Sequence, residues 1–308
     1  PVVTLTTNQS SMVEDDSTIL TAILSAISTR DIVLTFSTSG TAIADTDYTL
    51  SSAQITIAAG QTTGSLTVKG IDDAIDEVVD TLVLTPSVTN NGTLASSDAL
   101  TVNLTDNDLP PLVNSVNAIT ADGAYKAGDV IAITINFDKA VTVTGTPQIT
   151  LETGSSDALV DYSSGSGSTT LTFNYTIASG QNSADLDYLA ASSLALNSGT
   201  ITETGGTSDA TLTLPSPGAT NSLGANKALI IDTVVPVATI SIDNLSIAEH
   251  ESMTIAVALS TASSFEITVT LTPSGTATLN TDYAVSNTLG NIITIAVGDT
   301  VGTLTING

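Results

Sequence analysis

Asp72, Asp73, Asp76 and Glu77 stand within six consecutive positions of the stretch GIDDAIDE (residues 70–77), in a chain with only five Lys and Arg altogether. Carboxylates at that density suit two kinds of chemistry. They can take ligand positions around a hard cation, or a pair of them can share acid and base work in glycoside hydrolysis. Two ionised carboxylates about 5 Å apart repel by roughly 3 kcal/mol at an effective dielectric near 20, so water or a cation has to relieve such a group. A single acidic turn is most often a solvated loop, and that reading stays open for GIDDAIDE taken alone.

The rest of the composition narrows the chemistry. Thirty-one Asp and Glu against five Lys and Arg give a formal net charge of −26. The basic residues Arg30, Lys69, Lys126, Lys139 and Lys227 are scattered singly, so nucleic acid is not an expected partner. There is no Cys and a single His, His250, which disfavours zinc and copper and leaves oxygen ligands in plenty. No stretch is long and apolar enough to span a bilayer; the most apolar, ALIIDTVVPVATI from Ala228, is interrupted by Asp232 and Pro236. His250 has no G-x-S-x-G elbow to work with, and the acids have few basic or aromatic neighbours to shape a cleft, so the expectation is that the chain is not an enzyme. It begins at Pro1 with neither an initiator Met nor a signal-peptide pattern, and a fragment of something longer is expected.

The elements that must position the acids read as strands. VVTLTT, DIVLTFST, AQITIAA, GSLTVKG, DTLVLTP, ALTVNLTD, VIAITINF, TTLTFNYT, ATLTLP and EITVTLTP alternate apolar and Thr or Ser residues with a period of two, the pattern of half-buried antiparallel strands. Gly, Asn, Asp and Ser turns separate them, as in β-sandwiches. The one helix-like piece is SADLDYLAASSLAL, residues 183–196. The fold class expected is all-β, with tandem immunoglobulin-like antiparallel sandwiches in an elongated array.

Internal comparison sets the domains. PVVTLTTNQSSMVEDDSTI from Pro1 returns as PVATISIDNLSIAEHESMTI from Pro236, GTAIADTDY from Gly40 as GTATLNTDY from Gly275, and ITIAAGQTTGSLTVKG from Ile55 as ITIAVGDTVGTLTING, which ends at Gly308. Residues 1–108 therefore read as one module, 109–234 as a different all-β module, and 235–308 as a copy of the first that stops before an acidic turn. The junctions DNDLPP and DTVVP carry prolines that restrict the backbone.

With strands ending near Gly70 and restarting at Thr81, the acidic run lies in a loop at one end of a sandwich. Counting strand ends brings Glu14, Asp47 and the DND of residues 106–108 to nearby loops. Such a convergence of oxygen donors suits Ca²⁺, whereas Mg²⁺ demands a stricter octahedron.

Module one resembles the Calx-beta domain, through VEDDSTI, GTAIADTDY, IAAGQTTGSLTV, GIDDAIDEVVDTLVLT and the closing LTDND. The resemblance implies an immunoglobulin-like sandwich that binds Ca²⁺ in the loops at one end, with Glu14, Asp47, Asp72, Asp73, Glu77, Asp106 and Asp108 as ligands. Asn107 stands where some members have a third Asp, and Asp76 has no clear counterpart. The second copy retains Glu249 and Asp282 but not the later motifs. Residues 109–234 resemble immunoglobulin-like repeats of large bacterial surface proteins, through AYKAGDVIAITINFDKAVTVTGTPQITLETG and SLGANKALIIDTVVP. There Asp122, Asp129, Asp185 and Asp187 are read as turn caps in preference to ion ligands.

The resemblances together imply a calcium-stiffened spacer in a bacterial adhesin or extracellular filament, at the cell surface or secreted, supporting adhesion or biofilm formation. Its partners would be neighbouring modules of the same chain, with cell-surface or glycan ligands bound by regions outside this fragment. Two alternatives stand beside this reading: a module that itself grips a glycan or surface, and a filament subunit whose last module is completed by a neighbouring chain.

Overall fold

The computed structural model describes residues 1–88, 90–287 and 290–308, and the chain is all-β. Among the described residues the one helix is Leu223–Asn226, whose first turn is capped by the Ser222 side chain. The chain divides into two compact units, the first made of Pro1–Pro111 with Thr202–Ala210, the second of Leu112–Ile201 with Thr211–Gly308.

Among the described residues of Pro1–Pro111, ten strands build the first unit's sheets: β1 (Val2–Thr7), β2 (Ser11–Val13), β3 (Ser17–Leu24), β4 (Ile32–Gly40), β5 (Tyr48–Leu50), β6 (Gln54–Ile57), β7 (Thr63–Gly70), β8 (Asp80–Val88), β9 (Thr93–Leu94) and β10 (Leu100–Thr105). They form two five-stranded sheets, in the orders β5-β7-β3-β1-β9 and β2-β10-β8-β4-β6. The period-two pattern explains how the sheets face each other. Leu20 and Ala22 of β3 and Leu66 and Val68 of β7 turn inward from one sheet; Ile32, Leu34, Ile55, Ile57, Leu82 and Leu84 turn inward from the other. Each such Leu or Ile, fully buried, contributes about 1.5–3 kcal/mol.

The alternation predicts antiparallel pairing, and most pairs obey. In the first unit two do not: β9 runs parallel to β1, and β2 parallel to β10. The second follows from Asn8, where the chain leaves one sheet for the other. Its side-chain oxygen accepts hydrogen bonds from the Ile19 N–H at 2.7 Å and the Thr18 hydroxyl at 2.7 Å, taking the place of ladder partners. The next three-residue strand then pairs on the far sheet.

In the second unit, strands Val113–Ala118, Val130–Thr144, Ser168–Thr176, Ala158–Ser164, Gln148–Leu151 and Leu194–Ala195 follow one another across a sheet. Ile131, Ile133, Ile135, Leu171 and Phe173 are fully buried in it. Residues 183–196 are not helical. Leu186 and Tyr188 are both buried, a period of two, and their backbones bond to neighbouring strands: the Leu186 N–H donates to the Leu229 carbonyl and Tyr188 bridges Leu151. ATLTLP, residues 210–215, is no strand either, making only an isolated bridge from Thr211 to Leu112.

The repeat seen in the sequence is a repeat of structure. Asp47 accepts from the Ile43 N–H at 2.6 Å, and Asp282 from the Thr278 N–H at 2.7 Å. Val2 bonds the Ser25 hydroxyl and Val237 the Ser260 hydroxyl. Asp15 and His250 both adopt positive φ, 62° and 70°. Among the described residues, the second copy's counterpart of the β4 and β6 pair, Ile267–Thr270 with Ile292–Ile295, is a two-stranded sheet.

Candidate cation-binding site

The acids sit where strands stop. Glu14 follows β2, Asp47 precedes β5, Asp72 to Glu77 lie between β7 and β8, Asp80 opens β8, and Asp106 and Asp108 follow β10. Glu14 is held by its N–H, which donates to the Thr105 carbonyl at 3.2 Å. Gly70 lets it come close: a Cβ there would stand 3.3 Å from the Glu14 Cα. Asp47 closes its own turn, its carboxylate on the Ile43 N–H and its carbonyl on the Ile71 N–H.

Two groups of ligand atoms result, each with its oxygens within 4.8 Å of one another: Glu14, Asp73 and Asp108, and Asp47, Glu77 and Asp80. That spacing is the span two oxygens cover when each stands about 2.3–2.6 Å from a shared calcium ion. Asp73 and Glu77 lie on one loop, so the two groups adjoin. Asp80 was not among the residues singled out from the sequence. It reads as the first residue of a strand, and its signal is only that it follows Glu77 by three positions on the same acidic run.

The remaining expected ligands lie differently. Asp106 is a scaffold: Oδ2 accepts from the Glu77 N–H at 2.8 Å and Oδ1 from the Asp108 N–H at 2.9 Å. Asp72 is exposed and accepts from the Asn107 side-chain amide at 2.9 Å. Glu249 and Asp282 stand in no group of three acidic ligand atoms among the described residues.

Electrostatics separates these roles. Burial, then the charges of Asp106, Asp73 and Glu77, push the Glu14 carboxyl up to about 7. Glu77 is raised as well, by burial and then by Asp47, Asp73, Asp80 and Asp106. Burial also works on Asp106, but the backbone N–H groups of Asp108 and Glu77 and the Asp76 side chain outweigh it and hold it below its ordinary value. Lys69, the base nearest the loop in sequence, pairs outward with Asp15 at 3.2 Å. Glu14 Oε2 is buried without a hydrogen-bond partner. An all-oxygen donor set containing a buried, unpartnered carboxylate oxygen fits a hard divalent cation.

No family model matches the chain, and no curated protein matches it. Among solved structures, the Escherichia coli adhesin FdeC is similar with a TM-score of 0.34 and 13% identity, over 99% of this chain and 88% of its own. The apo form of the Calx CBD1 domain is similar with a TM-score of 0.30 and 18% identity, over 35% of this chain and 100% of its own. CBD12 of CALX1.2 is similar with a TM-score of 0.29 and 12% identity, over 62% of this chain and 75% of its own.

Proposed function

We propose that the first unit is a Ca²⁺-binding β-sandwich module, and that the chain serves as a calcium-stiffened structural spacer in a large bacterial surface adhesin or extracellular filament. The observation that supports it is the pair of adjoining carboxylate groups, one of which holds the buried, unpartnered Glu14 Oε2. Glu14, Asp73 and Asp108 would hold one ion and Asp47, Glu77 and Asp80 a second. The metal supplies positive charge that cancels the mutual repulsion of these groups; no bond in a substrate is made or broken, and the reading assigns the chain no catalytic role.

Ca²⁺ that binds the folded loops and not the unfolded chain raises stability by RT ln(1 + [Ca²⁺]/Kd), about 2.7 kcal/mol per site at a hundred times Kd. Extracellular modules commonly bind at about 10⁻⁴ to 10⁻³ M, a range suited to calcium outside a cell and not inside it. The test is calcium titration of the metal-stripped chain, followed by melting and hydrodynamic measurements with and without EDTA. A rise in melting temperature with calcium and a longer hydrodynamic dimension are expected. If EDTA changes neither, the reading is wrong.

A further inference from the structure

The loop that carries Asp73 and Glu77 runs from Ile71 to Val79 without strand partners of its own, so something else must hold its shape. Part of the answer is local: the Ile75 N–H donates to Asp73 Oδ1 at 2.7 Å and the Glu77 N–H to Asp106 Oδ2 at 2.8 Å. The peptide between them, at Asp76, is held from far along the chain. Its N–H donates to Glu203 Oε2 at 2.9 Å, and its carbonyl accepts from the Ser208 hydroxyl at 2.8 Å.

Glu203 and Ser208 lie on the hairpin Thr202–Ala210, which belongs to the first unit. The hairpin is closed by the bridge between Thr202 and Asp209 and by the Glu203 N–H on the Ser208 carbonyl at 2.9 Å. Ile75 packs onto its tip. A Cβ at Gly206 would stand 2.7 Å from Ile75 Cγ2, and Gly205 has a φ of 97°, so the ETGGTSD sequence is what lets the tip close over that side chain. Glu203 is 4% exposed. From this buried position it accepts the Asp76 N–H.

We propose that Glu203 and Ser208 are positioning residues for the cation loop: they grip both backbone polar groups of Asp76 and so hold Asp73 and Glu77, on either side of it, facing their two ligand groups. This rests on the calcium reading above. Because linkage is reciprocal, an ion that fixes the loop also tightens the hairpin's hold on it, and loss of the hairpin contact weakens the ion.

The experiment uses the full chain, stripped of metal, and Ca²⁺ itself as the probe, in wild type, Glu203→Ala and Glu203→Gln. The glutamine keeps an oxygen acceptor for the Asp76 N–H while removing the charge. Calorimetric titration is expected to show Glu203→Ala weakened on the order of tenfold, with Glu203→Gln close to wild type. In wild type, which needs no altered chain to fold, calcium is expected to slow amide hydrogen exchange at residues 202–210. Equal affinities for wild type and Glu203→Ala, equal weakening of both variants, or exchange at 202–210 indifferent to calcium would each overturn the positioning role while leaving the calcium site standing. Failure of wild type to take up Ca²⁺ at all would remove the calcium reading and the positioning role together.

Discussion

Asp106 holds Glu77 in place: its Oδ2 accepts the Glu77 backbone N–H at 2.8 Å while its Oδ1 accepts that of Asp108, so one carboxylate braces two acidic segments. The structural duty separates Asp106 from the acids that face the ligand groups. Asp106→Ala leaves two N–H groups without their acceptor and is expected to cost about 1.5–3 kcal/mol in EDTA, before calcium is added. Urea unfolding in EDTA checks it, and a midpoint equal to wild type would show that Asp106 is not a brace.

Glu14 should behave in the opposite way. Its carboxyl is raised from 4.5 to about 7, so between those values the folded chain keeps a proton that the unfolded chain has released. Stability of the calcium-free chain therefore falls as pH rises through that window and levels off above it. Glu14→Gln removes the buried charge and is expected to flatten that fall, gaining about 1–3 kcal/mol in EDTA at pH 8, while weakening calcium binding. Melting in EDTA at pH 5 and pH 8 checks the sign. A wild type that melts higher at pH 8 would contradict it.

The two copies of the repeat give a matched pair of glycines. Gly40 has a φ of 113°, and a Cβ there would lie 2.0 Å from the Thr81 carbonyl oxygen; Gly275, with a φ of 132°, has nothing within 4 Å. Both alanine substitutions meet backbone strain of about 1–3 kcal/mol, but only Gly40→Ala must also push β4 away from β8. Gly40→Ala is expected to destabilise by about 3 kcal/mol or more and Gly275→Ala by less. Parallel thermal melts decide, and equal losses would mean that φ alone governs.

What could be read in the sequence was whatever repeats at short range. Period-two alternation marked β1, β4, β6, β7, β8 and β10 of the first unit but not β2, β3, β5 or β9, and the match of GTAIADTDY to GTATLNTDY anticipates the shared turn of Asp47 and Asp282. Counting strand ends placed Glu14, Asp47, the GIDDAIDE run and the DND of residues 106–108 in neighbouring loops; the division into two groups of ligand atoms is visible only in the structure. The helix-like residues 183–196 misled because spacing alone does not say which way Leu186 and Tyr188 turn, and both turn inward. Asp80 was hidden by its strand, and the parallel pairing of β2 with β10 by the change of sheet at Asn8. The grip of Glu203 on Asp76 spans 127 positions, and nothing local in either segment announces the other.

Asp232, in the DTVVP segment of the second unit, is a carboxylate held by backbone donors without metal. Its Oδ2 accepts from the Ser264 N–H at 2.7 Å and its Oδ1 from the Val234 N–H at 3.0 Å. Burial opposes its charge, but these backbone donors and the Ser264 side chain outweigh that and hold it below its ordinary value. A depressed carboxyl contributes stability above its unfolded value of 3.8 and loses it as pH falls through the lower folded value, so the contribution is complete at neutral pH. Asp232→Ala removes both acceptors and is expected to cost about 1–3 kcal/mol at pH 7, with faster amide exchange at Val234 and Ser264. The loss should not depend on calcium, because neither ligand group includes Asp232. A deficit that calcium restores would instead tie this segment to the metal, and exchange at Ser264 equal to wild type would show that the hydrogen bond does not protect that N–H.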